Sequence, residues 1–144
     1  MSRAETVRLL ENEVGVLIRR VRRVIHERAR AVHPDLLPAS YLMLAHLAEV
    51  GPVRSSAVAE TFGIDKGAIS RQVQNLVDLE LIDRSPDPAD GRATLLSVTD
   101  EARARLGEVT RHRRKHLDER LGDWADDDLS SLVSLLARYN AALD

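Results

Sequence analysis

Two stretches of this sequence hold side chains whose types and spacing could do chemistry. The first is DKGAISRQVQN, residues 65–75. Ile69, Val73 and Leu76 follow the i, i+4, i+7 spacing of a buried helix stripe. With these inward, the opposite stripe is Gly67, Ser70, Arg71 and Gln74, flanked by Lys66 and Asn75. An arginine matches the paired acceptors on a guanine edge, and Gln or Asn matches the donor and acceptor of adenine. Ser70, Lys66 and Ser55 (the last at the start of a preceding short helix) suit phosphate oxygens. Gly67 leaves the helix N-terminus open to close approach by a phosphate. No acid interrupts this stripe before Asp78.

The second stretch is SPDPADGRATLLSV, residues 85–98. It reads as the long connection of a β-hairpin, roughly nine residues against the about 2–5 that hairpins usually need. Pro86 and Pro88 stiffen it and discourage edge-to-edge strand pairing. Asp90-Gly91 forms a turn in which Asp90 can pair with Arg92 or bond the loop backbone. An arginine held out on a stiff loop can enter a narrow minor groove, where negative potential is concentrated. The plainer alternative is a surface turn with an ion pair of about 0–1 kcal/mol.

Other chemistry finds little support. His112 and His116 have the i, i+4 spacing of a metal pair. Arg113, Arg114 and Lys115 between them repel a cation, and no third ligand is in sight, so no metal is expected. His26, His33 and His46 are of the residue type that can respond to pH, but ordinary surface or core roles describe them more simply. No Gly-rich phosphate loop, Gly-x-Ser-x-Gly or His-Glu-x-x-His occurs, so neither catalytic residues nor a cofactor are expected. Cysteine is absent, which removes disulfides, thiolate nucleophiles and Cys-ligated zinc together.

Elements able to position these residues follow from periodicity. Ser2 and Glu5 make a capping box for a long helix with Val7, Leu10, Val14, Leu17, Val21 and Val24 on one stripe, ending near His33-Pro34. Pro38 starts a second helix that stops at Gly51-Pro52. A short helix carries Val58, Ala59 and Phe62 and ends at Gly63. Asp65 caps the helix of the first stretch. Leu81-Ile82 and Thr94–Val98 read as two strands flanking the loop. Thr99 caps a helix running to about Leu121-Gly122, and Asp126 is expected to cap a last one striped by Leu129, Leu132, Val133, Leu136, Tyr139 and Leu143.

Helix, turn, helix and hairpin in that order make a winged helix. The expected fold is therefore mainly α with a small β-hairpin wing. It divides into a dimerisation helix over 1–35, a winged helix-turn-helix DNA-binding domain over 36–100, and dimerisation helices over 101–144 that form one structural unit with 1–35. The terminal stripes are too wide for the central core to cover, so a second copy of the chain is expected to bury them.

The 144 residues carry 21 Lys and Arg against 23 Asp and Glu, a net charge of −2, so nucleic-acid binding must rest on local charge distribution. Neither a signal peptide nor a membrane span is visible, and a cytoplasmic location is expected.

GPVRSSAVAETFGIDKGAISRQVQNLVDLELIDR followed by DPADGRATLLSVTDEA resembles the central region of MarR-type transcriptional regulators. The resemblance implies double-stranded DNA with a pseudo-palindromic operator as partner, recognition residues within Lys66–Asn75, and Arg92 in the minor groove oriented by Asp90. It implies a repressor released by a small aromatic or anionic effector, held where Tyr41, Met43 and His46 join the dimer base to the reading head. The family commonly has glycine where Glu80 stands, so the turn leaving the recognition helix is expected to need another conformation. The alternative is a winged helix used for protein–protein contact, with the acids around the wing as its surface.

Overall fold

The computed structural model describes residues 1–144. Six helices and three short strands follow in the order α1 (Arg3–Val32), α2 (Pro38–Val50), β1 (Val53–Arg54), α3 (Ser55–Phe62), α4 (Lys66–Asp78), β2 (Ile82–Asp87), β3 (Asp90–Val98), α5 (Asp100–Arg120) and α6 (Asp126–Ala141). This is the winged helix-turn-helix expected from the sequence. The chain forms two units, Met1–Val109 and Thr110–Asp144.

In the first unit, local chemistry sets the helix ends. The Ser2 hydroxyl accepts from the Glu5 amide at 3.2 Å, and the Glu5 carboxylate accepts from the Ser2 amide at 2.6 Å. That second bond, to the Ser2 amide, holds the Glu5 carboxyl below its ordinary range. Pro38 opens α2, and Gly63 closes α3 in the left-handed conformation at φ 61°. The Asp65 carboxylate caps α4 by accepting from the Ala68 amide at 2.8 Å. The core gathers Val32 of α1, Leu44 and Leu47 of α2, Val58 of α3, Ile69, Val73 and Leu76 of α4, and Leu81, Ile82 and Leu96 around the sheet.

Two expectations about the wing are corrected. The sheet has three strands in the order β1-β3-β2, because Val53 and Arg54 pair with Leu96 and Leu95. The hairpin connection is also far shorter than roughly nine residues. Pairing continues outward through Pro86↔Thr94 to Asp87↔Asp90, with an irregularity between Pro86 and Asp87, leaving Pro88 and Ala89 as the tip. Pro86 is tolerated because β2 is an edge strand, where one missing donor breaks no second ladder.

Glu80 corrects another expectation. It keeps the left-handed geometry that glycine would supply, at φ 58°. Its amide donates to the Val77 carbonyl at 2.9 Å and the Leu81 amide to that of Leu76 at 3.0 Å. This crossed pair closes α4 as a Schellman turn, with Leu81 packed in the core beside Leu76. The Thr99 hydroxyl donates to the Glu80 carbonyl at 3.0 Å and accepts from the Ala102 amide at 3.2 Å, so one side chain both pins this turn and caps α5.

In the second unit, the C-terminal half of α5 is followed by a turn in which the Trp124 amide donates to the Leu121 carbonyl at 2.9 Å. The cap of α6 is Ala125 rather than Asp126, and no side chain bonds the free amides. Asp126, Asp127 and Asp128 occupy the first turn instead, where the helix dipole favours acids. No residue of α6 is buried; Val133 stays 69% exposed, and Leu143, just beyond the helix, 68%. No helix is long and apolar enough to cross a membrane.

Candidate nucleic-acid interface

The amphipathic pattern of α4 places its polar stripe as expected. Ile69 and Val73 are 4% exposed and Leu76 is fully buried, while Lys66, Gly67, Ser70, Arg71 and Gln74 all face solvent. Ser55, the first residue of α3, is half-buried and lines a cleft of about 300 Å³ together with Ser70, Arg84 and Thr94. The cleft thus lies where the starts of α3, the middle of α4 and the wing strands meet, with Ile69, Val73 and Leu96 as its apolar floor.

Gly67 matters sterically. A Cβ there would stand 3.2 Å from the Asp65 cap oxygen and 3.5 Å from an Arg71 guanidinium nitrogen. The Arg71 side chain therefore runs back over the first turn of α4, and a glycine keeps that passage clear.

Two recognition residues behave differently from the expectation of free readers. Gln74 is held at both ends: Arg84 Nη2 donates to its Oε1 at 2.9 Å, and its Nε2 donates to Asp78 Oδ1 at 2.7 Å. Asn75 is half-buried, and its Oδ1 is closed off from solvent without a hydrogen-bond partner, so that atom is not offered to a base. Arg84 was not singled out from the sequence. Its signal was weak, since a single arginine in a short strand next to acids has no spacing rule to mark it.

On the wing, Asp90 and Arg92 are exposed. Asp90 braces the backbone rather than the guanidinium, its Oδ1 accepting from the Arg92 amide at 3.1 Å. No salt bridge engages Arg92, which leaves its charge available. The ion pair of this region lies elsewhere. Arg54 Nε meets Asp87 Oδ2 at 2.7 Å, and Asp87 Oδ1 also accepts from the Ala89 amide at 2.9 Å. These two contacts, the Ala89 bond first, hold the Asp87 carboxyl below its ordinary range. They tie the hairpin tip to the strand that leads into α3.

Of the remaining candidates, Tyr41, Met43 and His46 are buried or half-buried, whereas His112 and His116 are exposed. Met43 is fully buried and Tyr41 5% exposed within the core, and His46 meets Phe62 edge-on with ring centroids 5.4 Å apart. His112 and His116 stack at 5.5 Å with 21° between their planes. No three His, Cys, Asp or Glu side chains converge on a point that could hold a metal ion.

Comparison with known proteins agrees with this geometry. The family model described as "MarR family" matches residues 35–93, which span the start of α2 to the wing. The HTH-type transcriptional regulator YxaD of Bacillus subtilis is 33% identical over 142 residues, covering 99% of this chain and 98% of its own. RV1404 of Mycobacterium tuberculosis has a crystal structure superposing with a TM-score of 0.77 at 25% identity, over 99% of this chain and 94% of that one. FabT of Streptococcus pneumoniae, crystallised in complex with DNA, superposes at 0.83 with 14% identity over 95% and 96% of the two chains, a likeness of fold.

Proposed function

This chain belongs to the MarR family of HTH-type transcriptional regulators, and from that premise we propose that it is a homodimeric, sequence-specific DNA-binding protein that acts as a repressor. One observation carries the reading: the exposed face of α4 is built from Lys66, Gly67, Ser70, Arg71 and Gln74, beside a wing whose Arg92 has no ionic partner. Lys66, Ser55 and Ser70 hold phosphates, Arg71 and Gln74 meet base edges in the major groove, and Asp90 steadies the backbone that carries Arg92 toward the minor groove. Asn75 flanks this stripe, with its Oδ1 closed off from solvent. The DNA in the FabT complex supports the view that this fold can sit on a duplex.

Homodimerisation rests on uncovered apolar surface. Leu10, Leu17, Ile18 and Val21 on α1 are 42–50% exposed, and Leu132, Val133, Leu135 and Leu136 on α6 are 40–69% exposed. Stripes of this width call for burial. Residues 1–35 and 101–144 would then form the dimer base and 36–100 the reading head. A dimer seated on both grooves of a promoter excludes other proteins, which is the basis for repression. A small aromatic or anionic effector taken up around Tyr41, Met43 and His46, whose packing would have to open to admit it, would release the protein from DNA.

The winged helix as a protein-binding module has less behind it. Of the acids that would form its surface, Asp87 is paired with Arg54, Asp78 with Gln74, and Asp65 caps α4.

The test is selection of bound duplexes from random DNA. A pseudo-palindrome with half-site centres about one helical turn apart is expected, from the two-fold symmetry of a dimer. A bound pool without symmetry would contradict the dimeric reading. Added protein should then lower transcription in vitro from a promoter overlapping the selected site; stimulation would contradict repression.

A further inference from the structure

Gln74 lies between two partners of opposite hydrogen-bonding character. Arg84 reaches it from β2 and can only donate, at 2.9 Å to Oε1. Asp78 stands one turn further along α4 and, ionised, can only accept, at 2.7 Å from Nε2. The carboxamide is therefore held one way round, with oxygen toward the wing and nitrogen toward the C-terminal end of α4. A flipped amide would set donor against donor and acceptor against acceptor.

A carboxamide has two protons and two acceptor sites, and these bonds use one of each. One proton and one lone pair are left on a solvent-facing side chain, in a fixed order. Adenine offers N7 as acceptor and N6 as donor, also in a fixed order along the major groove. A glutamine locked in one orientation can match that order on one strand at one register. A freely flipping glutamine matches more arrangements and discriminates less.

Resting on the DNA-binding reading above, we propose that Arg84 is a positioning residue for base readout: together with Asp78 it fixes the orientation in which Gln74 presents its remaining donor and acceptor. Because Arg84 belongs to the wing strand, the wing then shapes what α4 reads as well as making its own contacts.

The probe is the duplex that wild type selects from random DNA, together with all its single-base-pair substitutions. Gln74→Ala identifies the base pair that Gln74 reads, where discrimination should fall about 5- to 100-fold. Arg84→Met should lower discrimination at that same base pair by roughly three- to tenfold, a scale usual for residues sharing one network. Arg84→Lys, which keeps a donor, should retain most of it. The double variant Gln74→Ala/Arg84→Met should discriminate there no worse than Gln74→Ala alone. In the free protein, the side-chain amide proton resonances of Gln74 should move on Arg84→Met, with no DNA present.

Uniform weakening on every duplex with a shallower salt dependence would make Arg84 a phosphate contact and overturn the proposal. Unchanged discrimination, or unmoved Gln74 resonances, would overturn it as well. These outcomes leave DNA binding itself standing. A wild-type protein that selects no duplex removes that underlying reading instead.

Discussion

Glu80→Gly should make the protein more stable. Glu80 holds φ 58°, a left-handed conformation in which an L side chain crowds its own backbone. The cost for a non-glycine residue there is about 1–2 kcal/mol. Glycine removes it, but loses more backbone freedom on folding, an opposing effect of about 0.5–1 kcal/mol. The turn itself persists, because its bonds run between backbone groups of Leu76, Val77, Glu80 and Leu81, with the Thr99 hydroxyl on the Glu80 carbonyl. The Glu80 side chain is exposed, so little packing is lost. The net gain is about 0.5–1 kcal/mol, or about 2–4 °C in Tm for a chain of this size. Thermal and urea unfolding at matched protein concentration would measure it, and Glu80→Val should shift the other way, since β-branching worsens the clash. A Glu80→Gly variant less stable than wild type would refute the strain at this turn.

Four further outcomes are expected. Arg71→Ala should relax preference at one base pair by about 1–3 kcal/mol in competition binding; equal weakening on all sequences would assign Arg71 to phosphate. Arg92→Ala should weaken binding chiefly at sites with A·T-rich flanks, and wild-type affinity there would contradict the role given to the wing. For Asp87, the folded carboxyl sits below its unfolded value, so its stabilising effect is complete above about pH 4 and fades as pH falls through the folded pKa. The stability gap between wild type and Asp87→Asn should therefore narrow from pH 5 to pH 2 in unfolding midpoints; a widening gap would reverse the sign. Leu136→Asp should halve the mass seen in sedimentation, by charging an apolar face that is 41% exposed in the single chain; an unchanged dimer would place the interface elsewhere.

Features written in local chemistry were legible in the sequence. Ser2 and Glu5, Pro38, Gly63 and Asp65 mark helix ends because each acts on neighbouring backbone groups. The i, i+4, i+7 spacing of Ile69, Val73 and Leu76 revealed the buried side of α4, and hence its opposite face. Features that depend on distant partners were not legible. Strand β1 has two residues, too few to show alternation, and exists only because β3 is beside it. Pro86, Pro88 and Asp90-Gly91 read as loop, yet an edge strand accommodates Pro86 and the pairing extends to the tip. Arg54 and Asp87 stand 33 positions apart, and Arg84 and Gln74 ten, so no spacing rule links them. Glu80 shows the converse: a residue poorly suited to its φ is held there by the Schellman bonds, the burial of Leu81 and the Thr99 hydroxyl. Asp126 resembles a cap in the sequence because acids serve both as caps and as first-turn residues, and only the backbone angles separate those roles.

Association with the selected duplex as a function of salt concentration is the decisive measurement. If Lys66, Arg71 and Arg92 meet phosphates and groove edges as proposed, log affinity should fall linearly with log salt, with a steep slope set by the counterions released. Arg92→Ala should bind more weakly than wild type, most of all where the flanks are A·T-rich. Absence of measurable DNA affinity at low salt would contradict the assignment of α4 and the wing as a DNA-reading surface.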